Sequence, residues 1–193
     1  MIDSSADTPP ADVTPNTLNF VKDGKIFIHG NFEDNISKEV IPQLIKRIEE
    51  EKLKKQGKIQ FYIDSNGGYT RYLMDLLGLI ENAKDNGVII ETFVFSYAYS
   101  CGSMLACAGT KGHRYIGEHA EHLCHLGQTG TGGVKNDTEL ERRASRSKSH
   151  FDFVRKLYKK YAKIKDLEKA IANDDYFIRG KDIITNGLAD KFY

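Results

Sequence analysis

KIQFYIDSNGGYTRYLMDLLGLIENAKDNGVIIETFVFSYAYSCG, residues 58–102, decides the architecture. KIQFYID (58–64) and VIIETFVF (88–95) are rich in β-branched and aromatic residues and read as strands. Between them Leu73, Leu76, Leu77 and Ile80 recur at i, i+3, i+4 and i+7, the apolar stripe of an amphipathic helix over 69–86. Strand, helix and strand in that order predict a largely parallel sheet and an α/β fold. Ligands of such sheets gather beyond the carboxyl ends of the strands. Two unusual segments occupy those ends, DSNGGY (64–69) and SYAYSCG (96–102).

Upstream, KIFIH (25–29) reads as a further strand, and Val40, Ile41, Leu44, Ile45 and Ile48 repeat at helical spacing. Pro42 has no amide donor, so that helix is expected to start late or bend. Downstream the alternation stops. Leu140, Ala144, Ser147, Phe151, Val154, Tyr158 and Tyr161 are spaced alternately by four and three, a heptad seam on a helix of ~25 residues. Such a seam fits an ordinary core helix or a protruding helix that packs on a partner subunit. The basic run RRASRSK (142–148) is then its solvated face. Short helices around 166–172 and 181–187 and a final KFY complete the chain.

With 193 residues, 40% of them hydrophobic, the chain suits one compact domain over 18–193. Three of the four prolines fall in the first 15 residues, so 1–17 is expected to be a mobile tail. MIDSSADTPPADVTPNT has neither the cationic-then-apolar pattern of a signal peptide nor the basic character of a transit peptide. A net charge of +1 gives no electrostatic case for nucleic acid or an anionic membrane surface. No apolar run approaches the ~18 residues that span a bilayer. Cys101, Cys107 and Cys124, an odd number in apolar surroundings, read as reduced thiols of a cytoplasmic protein.

Small side chains in SYAYSCGSMLACAG (96–109) suit close packing of two backbones, but Ser100 stands where a strand hands over to a helix. AYSCG is nearly the G-x-S-x-G elbow of a nucleophilic serine, with Ala98 in place of the first glycine. A helix starting after Ser100 offers the N–H of Cys101 as an oxyanion donor, because first-turn amides lack intrahelical partners. Gly67 and Gly68 allow positive φ after a strand and expose a second backbone amide. His119, His122 and His125 invite a metal reading. EHLCHL reads as a strand, however, and puts His122 on the face opposite His119 and His125, so no metal is assigned.

These motifs, taken together, resemble the proteolytic subunit of the Clp protease. That family links a Ser-Pro-Gly-Gly turn, a small-residue nucleophile segment, an A-G-x-K-G-x-R-Y/F hairpin and a strand ending in the catalytic histidine. Here the counterparts are Ser65-Asn66-Gly67-Gly68, Tyr99-Ser100-Cys101-Gly102, AGTKGHRY (108–115) and Cys124-His125. The 25-residue interval from Ser100 to His125 aligns without a gap, and Gly130, Gly133 and Asp137 follow in register. DDYFIRGKDIITNGLADKF (174–192) is similar to the family's closing segment and puts Asp175 at the catalytic aspartate. The resemblance covers roughly residues 22–193.

It implies a repeated β-β-α superhelix of the ClpP/crotonase type with a long handle helix over about 137–164. It also implies a serine endopeptidase that cleaves unfolded polypeptides inside an oligomeric chamber, without a cofactor. Ser100, His125 and Asp175 become the triad, with Asp174 a rival for the last place. The amides of Gly68 and Cys101 become the oxyanion hole. Gly67, Tyr69 and Gly130 would border the substrate, its backbone lying as an added strand between Gly68-Tyr69 and residues 129–134. Expected partners are further copies of the chain, in a heptameric ring or a double ring, and a Clp-type ATPase unfoldase. No G-x-x-x-x-G-K-[ST] occurs, so no P-loop is present.

The chain departs from the family at four places. Asn66 replaces the proline, three extra residues precede Ser100, His125-Leu126-Gly127 replaces His-Gln-Pro, and Asp174 replaces an arginine used between rings. TPNTLNFVKDG has no recognisable axial docking loop. These mark a diverged member, of phage or accessory type. Two other readings stand beside the peptidase. One is an inactive ring subunit or scaffold. The other is a crotonase-like acyl-CoA enzyme, which has no need of the Ser100, His125 and Asp175 set.

Overall fold

The computed structural model describes residues 18–127, 136–165, 167–171 and 175–193. The expected tail at 1–17, Gly130 with its glycine-rich segment, and Asp174 lie outside them.

Strands β1 (Leu18–Lys22) and β2 (Lys25–Phe32) form an antiparallel hairpin. β2 then pairs in parallel with β3 (Lys58–Gly68), and β3 with β4 (Ile89–Tyr99). Alternate positions point to one side, so Ile26, Ile28, Ile59, Phe61, Ile63, Ile90 and Val94 are buried. Helices α1 (Ile41–Glu51) and α2 (Thr70–Asp85) cover them, α2 with Leu73, Leu76, Leu77 and Ile80 as its buried stripe. In α1, Val40 at the N-cap, Leu44 and Ile48 are buried, whereas Ile45 is exposed. Pro42 sits in the first turn of α1, and a π-helical turn at Ile36–Val40, closed by the Ile41 amide on Ile36 O, leads into it: the irregular turn stands where the proline has no amide to give.

β4 forks. Thr92–Val94 pair in parallel with β5 (Arg114–Ile116), and Tyr97–Tyr99 pair in parallel with β6 (Glu121–Cys124). β5 takes β8 (Lys191–Phe192) on its far side, and β6 takes β7 (Tyr176–Arg179) antiparallel. The mixed, mainly parallel sheet with its helices is the expected α/β fold.

Helix α3 (Cys101–Cys107) starts at the end of β4 and is buried along its whole length. Its small residues are needed for that, since a Cβ on Gly102 would come within 3.0 Å of both Cβ and O of Ser65. Helix α4 (Asp137–Tyr161) is capped by the Asn136 side chain, which accepts from the Glu139 amide at 2.9 Å. The seam divides along its length. Val154 and Tyr158 are buried, while Leu140 and Ala144 near the start are exposed. The end of the seam is thus core, and its start is exposed on the single chain. α5 (Leu167–Ile171) and α6 (Lys181–Thr185) are short. No described helix is long and apolar enough to cross a membrane.

Candidate active site

Ser100 is the residue between β4 and α3, with φ 52° and ψ −118°. Among the described residues only Asp23 is the other non-glycine at positive φ. An L-residue there is strained by about 1–3 kcal/mol and needs its surroundings to hold it. They do so from both ends. The Ser100 amide donates to the Leu123 carbonyl at 2.9 Å, and its carbonyl accepts from the Met104 amide at 3.1 Å. This is the geometry of a nucleophile elbow, which lifts the side chain clear of strand and helix.

The Ser100 Oγ is 2.7 Å from Nε2 of His125, the residue just past β6. Nδ1 of the same ring is 2.8 Å from Oδ1 of Asp175, just before β7. A carboxylate only accepts, so Nδ1 carries the proton and Nε2 is left to accept from the serine hydroxyl. Three groups far apart in sequence thus meet in one chain of hydrogen bonds.

Gly67 and Gly68 adopt φ 93° and 136°. Their close neighbours differ. A Cβ on Gly67 would run into Ser100 and the Cys101 amide, whereas one on Gly68 would strike the Phe32 backbone at 2.7 Å. The Gly67 amide is held by Ser65 Oγ at 3.1 Å, and that hydroxyl donates to the Gly30 carbonyl at 2.5 Å. Ser65 is fully buried and ties the end of β3 to β2, a role that the sequence alone did not suggest. Gly68 and Cys101 touch, the Cys101 Sγ lying 3.3 Å from the Gly68 carbonyl. Tyr69 has its amide bonded to Phe32 O and its carbonyl to the Tyr72 amide, so what it offers a ligand is an exposed ring.

A cleft of about 260 Å³ opens beside Ser100 and His125, walled by Asn66, Thr70, Met104, Leu126, His150 and Val154. His150, which comes from α4, had no mark in the sequence that tied it to this site. His122 points the other way, its Nδ1 2.9 Å from the buried Ser103 Oγ, and His119 is exposed ahead of β6. All three cysteines are buried, and burial is the main cause that pushes the thiols of Cys101 and Cys124 up to about 11. Cys107 is pushed higher still. None is a ready thiolate nucleophile.

The Clp protease family model matches residues 12–193. Among curated proteins, the ATP-dependent Clp protease proteolytic subunits of Streptococcus pyogenes serotype M5 (strain Manfredo) and serotype M1 are each 27% identical over 173 residues. The match covers 89% of this chain and 85% of each relative.

Proposed function

The chain belongs to the Clp protease family, and on that premise we propose that it is a serine-type endopeptidase that cuts unfolded polypeptides inside an oligomeric chamber. The observation that carries this reading is the unbroken path from Ser100 Oγ through His125 to Asp175, with Ser100 in the strained conformation of an elbow.

Ser100 Oγ attacks the peptide carbonyl while His125 Nε2 takes its proton. The charged imidazole is stabilised and oriented by Asp175. The carbonyl oxygen, now an oxyanion, is met by the amides of Gly68 and Cys101. His125 then gives the proton to the leaving amine, and water repeats the sequence on the acyl-enzyme. Met104, Leu126 and Val154 supply an apolar wall for the side chain next to the cut bond.

Assembly is supported by apolar surface on the single chain. Leu140 is exposed near the start of α4, and Phe20, Phe27, Tyr62, Phe93 and Tyr115 stack in a row across the outer face of the sheet. A handle formed by α4 and a ring of copies follow from this reading. The relatives are ATP-dependent by name, and a separate ATPase is the source of that dependence proposed here. Buried, unpaired thiols are in keeping with a cytoplasmic setting.

Cleavage of fluorogenic peptides by purified protein tests the reading. Ser100→Ala is expected to lower kcat by roughly four to six orders of magnitude with the oligomer intact. Loss in Cys101→Ala or Cys107→Ala with survival in Ser100→Ala would name a different nucleophile. No cleavage by the folded wild-type oligomer would favour the scaffold.

A further inference from the structure

The sheet that delivers the three site residues carries a second polar cluster, four residues back along β6. Glu121 Oε1 accepts from the Tyr99 hydroxyl at 2.5 Å, and Oε2 accepts from Nε of Arg179. Tyr99 is on β4, Glu121 on β6 and Arg179 on β7. Each strand ends at one member of the site. Ser100 follows Tyr99, His125 follows Cys124 at the end of β6, and Asp175 precedes Tyr176 at the start of β7.

Register makes the connection specific. β6 and β7 are antiparallel with Glu121 opposite Arg179 and Cys124 opposite Tyr176. Continued by one residue, the same register sets His125 opposite Asp175. Positions four apart on a strand share a face. Glu121–Arg179 and His125–Asp175 are therefore two facing pairs on one face of one ladder. A slip of one residue would turn Asp175 to the other side and empty the place beside Nδ1. Among the described residues the β6–β7 ladder has four paired positions, and the Asp175 side chain is 55% exposed, so the ladder's register is a main restraint on where it stands. The third strand is tied in by Tyr99, whose ring also meets Phe177 of β7 edge to face at 5.9 Å.

Glu121 is 9% exposed. Burial alone would push its carboxyl up, but the Tyr99 hydroxyl and the Arg179 guanidinium together hold it below the usual range. Burial and the bond to Glu121 raise the Tyr99 hydroxyl to about 12, so it donates throughout the working range of pH.

We propose that Glu121 is the positioning residue of this site, with Tyr99 and Arg179 as its two arms: it fixes the register and spacing of β4, β6 and β7 so that Asp175 meets His125 and His125 meets Ser100. The proposal rests on the peptidase reading for its kinetic consequences but not for its structural one. Glu121 does not line the cleft beside Ser100 and His125, so its loss acts on kcat and leaves KM nearly alone.

The test uses the full-length oligomer in four forms: wild type, Glu121→Gln, Arg179→Met and Arg179→Lys. Two quantities are read. One is kcat and KM on a short peptide. The other is the far-downfield proton resonance of His125 Nδ1–H bonded to Asp175, assigned by its absence in Asp175→Asn. Glu121→Gln and Arg179→Met are expected to lower kcat by about 10- to 100-fold with KM within about threefold, and to weaken or abolish the resonance. Arg179→Lys, which keeps the charge, is expected to recover most of both. Wild-type kcat and an unchanged resonance in Glu121→Gln and Arg179→Met, even with a lowered melting temperature, would overturn the proposal. If wild type neither cleaves peptides nor reacts with a fluorophosphonate, the peptidase reading fails, and the resonance alone then decides the proposal.

Discussion

A Cβ built on Gly67 would stand 2.6 Å from the Cβ of Ser100 and 3.0 Å from the amide nitrogen of Cys101. The end of β3 is thus pressed against the elbow after β4, and no side chain fits between them. Gly67→Ala is expected to push Ser100 off its position, lowering kcat by about a hundredfold or more. Gly87→Ala is the control. Gly87 also has positive φ, but its Cβ would meet nothing within 4 Å, so it should cost about 1 kcal/mol of stability and no activity. Peptide kinetics and urea melts of both variants check this.

Asp175→Asn should leave the fold alone, because that side chain is 55% exposed and its partner is the His125 ring. An amide in its place can turn its NH₂ to Nδ1 and favour the wrong tautomer, with the proton on Nε2. A fall in kcat of roughly 10⁴ is expected, with unchanged circular dichroism.

Much of this was legible in sequence. The β-branched runs and the stripe of α2 showed the α/β order, and the linked motifs pointed to Ser100, His125 and Asp175. What stayed hidden depends on register. Glu121 and Arg179 are 58 positions apart, and nothing local to either marks them as facing residues. The seam of α4 read as a single choice between core and projection, because periodicity shows which residues share a face but not how far along the helix a neighbour extends. Ile45 fits the spacing of α1 yet is 47% exposed, since only the Leu44 and Ile48 side of the helix meets the sheet. Ser65 looked like an ordinary turn residue. Its buried bonds to Gly30 and Gly67 appear only once β2 lies beside β3.

His122 should make the fold sensitive to acid. Burial, and then the nearby charge of Arg114, hold its imidazole down to about 3, against about 6.5 in an unfolded chain. Between those values the unfolded state binds the extra proton. The contribution to stability is therefore complete above about pH 6.5 and is lost progressively as pH falls toward 3. The urea midpoint is expected to fall between pH 6.5 and 5, and His122→Gln to remove that slope whatever its midpoint at pH 8.

Arg114 is a buried latch at the ends of two helices. Its Nη1 donates to the carbonyls of Cys107 at the end of α3, Tyr161 at the end of α4, and Gly187, at 3.3, 2.8 and 2.9 Å. Its Nε and Nη2 grip the Asp190 carboxylate at 2.9 and 2.6 Å. Arg114→Met leaves that carboxylate and three carbonyls without the guanidinium, at a cost of about 3–5 kcal/mol. Arg114→Lys should recover little, because an ammonium cannot reproduce the planar fork. Chemical denaturation of the two variants reads both effects.

The hydroxyl of Ser100 is held to be an activated nucleophile, and one mass measurement puts that to the test. Folded wild-type protein is treated with a fluorophosphonate, weighed intact and mapped by peptides. One adduct per chain on Ser100 is predicted, with none on Ser100→Ala and a much slower reaction in His125→Ala. Folded wild-type protein that gains no adduct, or an adduct that persists in Ser100→Ala, would contradict it.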